Sequence, residues 1–242
     1  AAATGAVPRE YDPDYMDNYE LGIKSEWADN TFQLNASAFM MKWSDVHESI
    51  FGLGQWWVRG TTNARTAESV CFEFSFDWQV TDRFSLKGSY FLADATFTAA
   101  YNNPDSGDLL VRNGQDMANS PDYKGWVSAM YDIPDVLGGD FSFYYDMSFG
   151  DEVWNTTGNA RDENKAGLAP SWVHHNLSAS VYYDNDLSVT VKVNNVFDQD
   201  SGTYIASGIQ SYSNAFPNGT RDRLNSNRGR PRTVWLSLRK DF

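Results

Sequence analysis

Cysteine is all but missing from this chain. Cys71 is the single thiol, which excludes an intramolecular disulfide and any multi-cysteine metal framework. It lies in an alternating segment with no histidine near it in sequence, a poor setting for a nucleophilic thiol. Histidine occurs only three times. No run approaches the roughly 18 apolar residues of a transmembrane helix. Ala1–Glu10 has neither the basic start nor the apolar stretch of a signal peptide. With no initiator Met, the chain reads as a mature or internal piece of a longer protein. Basic residues are the minority, 19 Lys and Arg against 32 Asp and Glu for a net charge of −13. That balance argues against a nucleic-acid partner. Helical periodicity is hard to find. A mean hydropathy of −0.52 leaves a membrane barrel open, because strands that alternate apolar and polar residues average to a polar value.

What the chain has in quantity is alternation. In Pro231–Phe242, Val234, Leu236, Leu238 and Phe242 share one parity, and Thr233, Trp235, Ser237, Arg239 and Asp241 the other. A strand has a side-chain period of two, so one face is apolar and the other polar. Lys240 is the one break, tolerable where a lysine can extend its head group to an interface. The same pattern sets Tyr19, Leu21, Ile23 and Trp27 against Glu20, Lys24 and Glu26. It sets Val70, Phe72, Phe74, Phe76 and Trp78 against Cys71, Glu73, Ser75 and Asp77. Further alternating runs begin near Phe32, Phe84, Phe141, Leu177 and Leu187, and a weaker one over Tyr123–Ile133 has ambiguous parity. The total is about nine strands, most of the length a tilted membrane-spanning strand needs.

The connections alternate in length. Ala28–Thr31, Val80–Asp82 and Asp184–Asp186 are tight turns rich in Asp and Asn, and Pro134–Asp140 is a modest one. Ala99–Asp122, Asp151–Ser171 and Gln199–Gly229 are long polar excursions. Short turns at one rim and long loops at the other suit an outer-membrane barrel with periplasmic turns. Trp27, Phe32, Trp78, Phe84, Tyr131, Phe141, Tyr183 and Phe242 all fall beside short turns or the terminus, where an interfacial aromatic girdle belongs. Acidic and basic residues on the opposite face demand water or a wet filling. The alternative is a soluble β-sandwich that binds carbohydrate, which would pack Val70, Phe72, Phe74 and Phe76 against a second sheet.

At this point the chain resembles the C-terminal part of a TonB-dependent outer-membrane receptor barrel. The residues that carry the resemblance are Asp12–Trp27 (DPDYMDNYELGIKSEW), Asn63–Ser69 (NARTAES), Asn194–Asp198 (NNVFD) and Gly229–Phe242 (GRPRTVWLSLRKDF). It departs from the family's pattern at Lys240 and at Val70-Cys71. The resemblance implies an all-β, antiparallel transmembrane barrel, of about 22 strands in such transporters, of which this chain carries about nine C-terminal ones. It also implies an N-terminal plug and earlier strands upstream of residue 1, and active uptake of a scarce solute through the TonB complex. The default solute is a ferric siderophore, with cobalamin or a saccharide as further options and a passive porin as the alternative within membranes. The remaining implied partners are outer-membrane lipid, lipopolysaccharide, and the barrel-assembly machinery acting on the strand that ends at Phe242. No enzymatic activity and no cofactor is implied. Counting strands back from Phe242 places Ala1–Asp14 in an outer loop.

Site candidates are few. His174 and His175 are strand neighbours and point to opposite faces, so they make no metal pair. Asp198–Gly202 and Asn102–Asp108 lack the spacing and terminal Glu of a calcium loop. Exposed loop aromatics suit stacking on planar or sugar-like ligands. The ligand-contact candidates are therefore Trp56, Trp57 and Arg59, in a short connection after the second strand, with Tyr101, Trp154, Tyr204 and Tyr212 in the long loops. The basic group Arg221, Arg223, Arg228, Arg230 and Arg232 suits lipopolysaccharide phosphates or acidic plug residues. Parity puts Arg232 on the apolar face at the outer rim.

Overall fold

The computed structural model describes residues 10–51, 59–63, 66–102, 107, 109–136, 138–154, 168–200, 204–206, 225–227 and 229–241. Its strands are β1 (Tyr15–Trp27), β2 (Phe32–Ser44), β3 (His47–Phe51), β4 (Arg59–Asn63), β5 (Thr66–Thr81), β6 (Phe84–Phe97), β7 (Tyr101–Asn102) and β8 (Leu109–Val111). They continue as β9 (Tyr123–Val136), β10 (Gly139–Gly150), β11 (Val153–Trp154), β12 (Leu168–Ala169), β13 (Trp172–Tyr182), β14 (Leu187–Asn194), β15 (Tyr204–Ala206), β16 (Asn225–Asn227) and β17 (Thr233–Lys240).

Nine of these form one antiparallel sheet in the order β1-β2-β5-β6-β9-β10-β13-β14-β17. Every sheet neighbour is also the next long strand in sequence, so the sheet is a plain meander. The other eight strands pair as β3/β4, β7/β8, β11/β12 and β15/β16. Each pair is a hairpin inserted into a connection at the same rim. The opposite rim carries only tight turns. One of these holds Ala28, Asp29 and Asn30 in succession at φ 53°, 54° and 67°, a left-handed run that short polar residues tolerate best.

The register keeps one face apolar across all nine strands. One rung reads Leu21–Ala38–Phe72–Leu92–Tyr123, and another reads Phe143–Ala179–Val191–Leu236. The ambiguous parity of Tyr123–Ile133 is resolved by pairing: Val127, Ala129 and Tyr131 lie opposite Gly88, Leu86 and Phe84 on the apolar face. No second sheet covers that face among the described residues; Leu21 is 80% exposed, Val70 51% and Phe72 41%. The sandwich alternative required those residues to be packed, and it fails here.

Two connections differ from the sequence expectation. Much of the expected turn over Pro134–Asp140 is strand instead, because β9 runs on to Val136 and β10 begins at Gly139. Pro134 is tolerated inside a strand because it sits two residues after Asp132, whose N–H reaches Arg83 O at 2.9 Å. Its missing N–H would point to the same side, where β6 has already ended. The connection after β2 is not short either. It runs over residues 45–65 and contains the β3/β4 hairpin, whose five-residue strands give no alternation long enough to reveal it.

Candidate functional site

The polar face divides into two zones. Toward the tight turns it is hydrophilic. Lys87 Nζ lies 2.6 Å from Asp77 Oδ2, Ser37 Oγ donates to Glu73 Oε1 at 3.1 Å, and Asn176 Nδ2 donates to Asp146 Oδ2 at 2.7 Å. A recess of about 490 Å³ opens there, lined by Glu20, Lys24, Asn35, Ser37, Glu73 and Ser75 among others. The Lys87–Asp77 pair is half-exposed, so it adds little stability and mainly keeps the face wet.

Toward the long loops the same face turns apolar, which alternation alone did not reveal. Val46, Ala67, Phe97 and Val111 are buried together, with Trp43, Tyr101 and Met117 packed on them. Trp43 Nε1 donates to Asp14 Oδ2 at 2.8 Å. Residues 112–122 run alongside the upper half of β6, through Phe97 N to Gln115 O, Met117 N to Ala95 O and Ala93 N to Asp122 O, each 2.8 Å. Between this segment and β1, β2, β5 and β6 lies a pocket of about 230 Å³, lined in part by Met41, Trp43, Cys71, Phe91 and Met117. Where the segment rejoins the sheet, the Asp122 carboxyl is held above the usual carboxylate range. Partial burial is the main cause, followed by the charges of Asp151, Asp116, Asp94 and Glu152.

The sequence candidates scatter over this rim. Tyr101, in β7, packs into the buried rim cluster. Trp154, in β11, is half-buried, and its carbonyl accepts Asn119 N–H at 2.6 Å. That bond ties the 99–122 connection to the 151–171 connection. Arg59 pairs with Phe51 and Tyr204 with Asn227 in their hairpins. Trp56, Trp57 and Tyr212 lie outside the described residues, as do Arg221, Arg223, Arg228 and Phe242. The hairpins and excursions thus gather Arg59, Tyr101, Trp154 and Tyr204 at one rim.

At the other rim, Trp27, Phe32 and Trp78 are rung partners, with Phe32 and Trp78 ring centroids 5.9 Å apart. Phe84 and Tyr131 pair at 6.2 Å. Phe141 lies opposite Ile133 and Val181, and Tyr183 N–H donates to Leu187 O at 2.9 Å. His174 and His175 separate as expected. His175 shares the apolar face with Tyr145, whose hydroxyl is 2.9 Å from its Nδ1, while the His174 ring lies tilted against Trp172 with centroids 5.0 Å apart. Among the described residues no group of three His, Cys, Asp or Glu side chains could hold a metal ion.

The Asn-Asn-Val-Phe-Asp stretch has a structural reason. Asn195 is 5% exposed, sits at φ 50°, and knots the end of β14 to the approach of β17. Its Nδ2 donates to Gln199 O at 2.9 Å and to Arg230 O at 3.0 Å, and its Oδ1 accepts Gln199 N–H at 2.9 Å.

The family model described as TonB dependent receptor-like, beta-barrel matches residues 1–196. The chain belongs to this family. Among curated relatives, it is 25% identical over 194 residues to the Probable TonB-dependent siderophore receptor PiuA of Acinetobacter baumannii, covering 78% of this chain and 24% of that protein. It is 24% identical over 200 residues to the Metal-pseudopaline receptor CntO of Pseudomonas aeruginosa, covering 81% and 25%. This receptor-barrel chain therefore spans about a quarter of the length of the relatives it matches. Solved structures agree on the fold. The siderophore receptor PiuA from Acinetobacter baumannii superposes with a TM-score of 0.67 at 18% identity, over 98% of this chain and 30% of that one. The ferric yersiniabactin uptake receptor FyuA from Yersinia pestis gives 0.68 at 19% identity, over 95% and 30%. The nine strands correspond to a C-terminal portion of the barrel. Members of the family are outer-membrane proteins and non-enzymatic transporters. The apolar face of the sheet is accordingly the lipid side, the polar face the lumen, and the long-loop rim the extracellular one.

Proposed function

We propose that this receptor-barrel chain forms part of the wall of an importer that takes up a metal chelate, a ferric siderophore or related metallophore, with energy passed through TonB. The reading rests on one observation above others: the curated relatives are named as receptors for a siderophore and for metal-pseudopaline. The plug, the TonB-contacting segment and the remaining strands belong to parts of the protein upstream of residue 1. Trp56, Trp57, Arg59, Tyr101, Trp154, Tyr204 and Tyr212 supply aromatic and cationic contacts to the chelate at the extracellular rim. Trp27, Phe32, Trp78, Phe84, Tyr131, Phe141, Tyr183 and Phe242 form the periplasmic girdle, and the strand ending at Phe242 is presented to the assembly machinery. The lipid face meets lipopolysaccharide at the outer rim.

Deleting the gene and growing the strain on a panel of chelated iron and carbon sources tests the proposal. Loss of growth on one metal chelate, reproduced by removing TonB, supports it. Uptake of small solutes that continues without TonB favours the passive porin instead. Upstream gene sequence without a plug domain would favour the porin as well.

A further inference from the structure

The outer rim of the lipid face is divided by charge. Over β1 to β9 its lipid-side positions carry Asp17, Glu68, Asp94 and Asp116, with Lys42 the one cation. Over β13 to β17 the same zone carries His175 and Arg232. Four side chains meet there. The Tyr145 hydroxyl lies 2.9 Å from His175 Nδ1. The Phe197 ring stands edge-on to the imidazole, at 88° with centroids 4.8 Å apart. Arg232 holds the chain on both sides of Phe197: its backbone N–H donates to Asp198 Oδ1 at 2.7 Å, and its Nη1 donates to Val196 O at 3.3 Å. Val196 N–H in turn donates to His175 O at 2.8 Å. Tyr145, His175, Phe197 and Arg232 thus make one contiguous patch.

Its height suits a lipid head group. Lys240 pairs with Leu187 at the tight-turn rim. From there to Arg232 the strand climbs about 20 Å at a tilt of about 40°, close to the top of an apolar band about 25 Å tall. Phe197 is 71% exposed, an apolar surface that lipid covers and water does not. Arg232 is exposed, and among the described residues no carboxylate pairs with its guanidinium. Its contact with Val196 O leaves most of the fork's donors for another molecule. With the Tyr145 hydroxyl donating to Nδ1, the ring proton of His175 sits on Nε2 as a further donor. An interfacial aromatic belt alone explains Tyr145 and Phe197. It does not explain a guanidinium and an imidazole beside them, on the lipid side of a chain with net charge −13. A phosphate ester matches the guanidinium fork, and the apolar face of a sugar ring packs on an exposed aromatic ring.

We propose that Tyr145, His175, Phe197 and Arg232 form a docking site for the phosphorylated sugar head group of lipid A, the membrane anchor of lipopolysaccharide. Arg232 takes the phosphate, His175 donates to head-group oxygens, and Phe197 packs on the sugar and the first acyl carbons. The acidic stretch over β1 to β9 repels the same phosphates, so the lipid is fixed at one sector of the wall. The proposal rests on the reading that the lipid face meets lipopolysaccharide at the outer rim, and it names the residues and the chemistry of that contact.

The test uses the full-length receptor in detergent, stripped of lipid and titrated with purified lipid A, with bound lipid counted by native mass spectrometry. Wild type is expected to bind bisphosphorylated lipid A roughly tenfold more tightly than the dephosphorylated form, the worth of one charge-assisted hydrogen bond. Arg232→Gln and the double variant His175→Phe/Phe197→Ala are expected to lose roughly the same factor. Lys240→Gln, which removes the lipid-side cation at the opposite rim, should match wild type. Variants that bind as wild type does overturn the site and leave lipopolysaccharide contact with the lipid face standing. No binding of lipid A at all overturns both. Wild-type binding that ignores the phosphates, or equal displacement of lipid A by inorganic phosphate or phosphatidylglycerol, also overturns the proposal. Should a variant fail to assemble, the wild-type comparison of the two lipid forms and the displacement series decide.

Discussion

The ring of Phe76 lies over Gly88, its rung partner on the neighbouring strand: a Cβ at residue 88 would stand 2.5 Å from Phe76 Cε1. Phe149 covers Gly125 in the same way, at 2.8 Å. Glycine leaves a gap on the lipid face and an aromatic ring from the next strand fills it, a device that also pins the register. Phe74, Tyr90 and Phe149 continue the aromatic cluster at centroid distances of 5.9 and 6.2 Å.

Gly88→Ala should therefore displace Phe76 and destabilise the barrel by about 1–3 kcal/mol, the range for overpacking. Gly22→Ala is the control, because its nearest contacts at 3.4 Å are ordinary ones. Heat-dependent mobility of the full-length receptor on detergent gels measures both. Equal melting of Gly88→Ala and wild type would contradict the close approach.

Replacing Asn195 should loosen the join between β14 and β17. Asn195→Ala removes three hydrogen bonds from a buried knot and puts alanine at positive φ, a loss of about 2–3 kcal/mol. Asn195→Gly keeps the backbone conformation and should cost less. The ordering Ala worse than Gly, read from assembled barrel yield, is the outcome to check.

Asp122 makes the extracellular rim sensitive to pH. Its folded pKa is raised, so between the ordinary carboxylate value and that raised value the folded state holds more proton than the unfolded one. Local stability therefore falls as pH rises through this window, and the full penalty is present above the raised value. Asp122→Asn should increase amide protection at Ala93, whose N–H donates to Asp122 O, when compared with wild type at neutral pH. The difference should vanish below the unfolded carboxylate range. Hydrogen exchange at matched pH gives the answer.

Arg232 should act in assembly and not in ligand binding. Its parity is that of Val234, on the lipid side, and its Nη1 donates to Val196 O at 3.3 Å. An outward arginine costs about 0–1 kcal/mol near an interface and more at mid-bilayer, so Arg232 is expected at the outer rim, within reach of lipopolysaccharide phosphates. Arg232→Ala in the full-length receptor should reduce barrel yield and leave ligand affinity within twofold. Lost affinity with normal assembly would place the side chain on the other face.

Residues 1–242 expressed alone should aggregate. β1 and β17 are unpaired edges, and Leu21, Ile23, Leu236 and Leu238 are each at least 60% exposed. A soluble monomer with one cooperative unfolding transition, measured by sedimentation and circular dichroism, would count against a barrel wall.

Much of this architecture was legible in one dimension. Phe72, Phe74 and Phe76 against Glu73, Ser75 and Asp77 assign a strand and its two faces, because a strand's period of two is a local property. Asp and Asn clusters mark the tight turns for the same reason, through their own tolerance of left-handed backbone. The ambiguous run at Tyr123–Ile133 shows where local reading stops. Its parity came only from pairing with Phe84–Leu92, since Gly125 and Ala129 carry too little side chain to declare a face.

The sequence by itself determined the strands, the apolar and polar parities, and which rim carries tight turns, all consequences of near-neighbour chemistry. Tertiary structure alone decided how the long connections return to the sheet. The 112–122 segment lies against β6, so Met117 joins Met41 and Cys71 in a pocket that strand alternation assigned to a uniformly polar face. Asn195 becomes a hub because Gln199 and Arg230 are brought to it from two directions. Register and loop path depend on contacts between residues far apart in the chain, and no local periodicity encodes them.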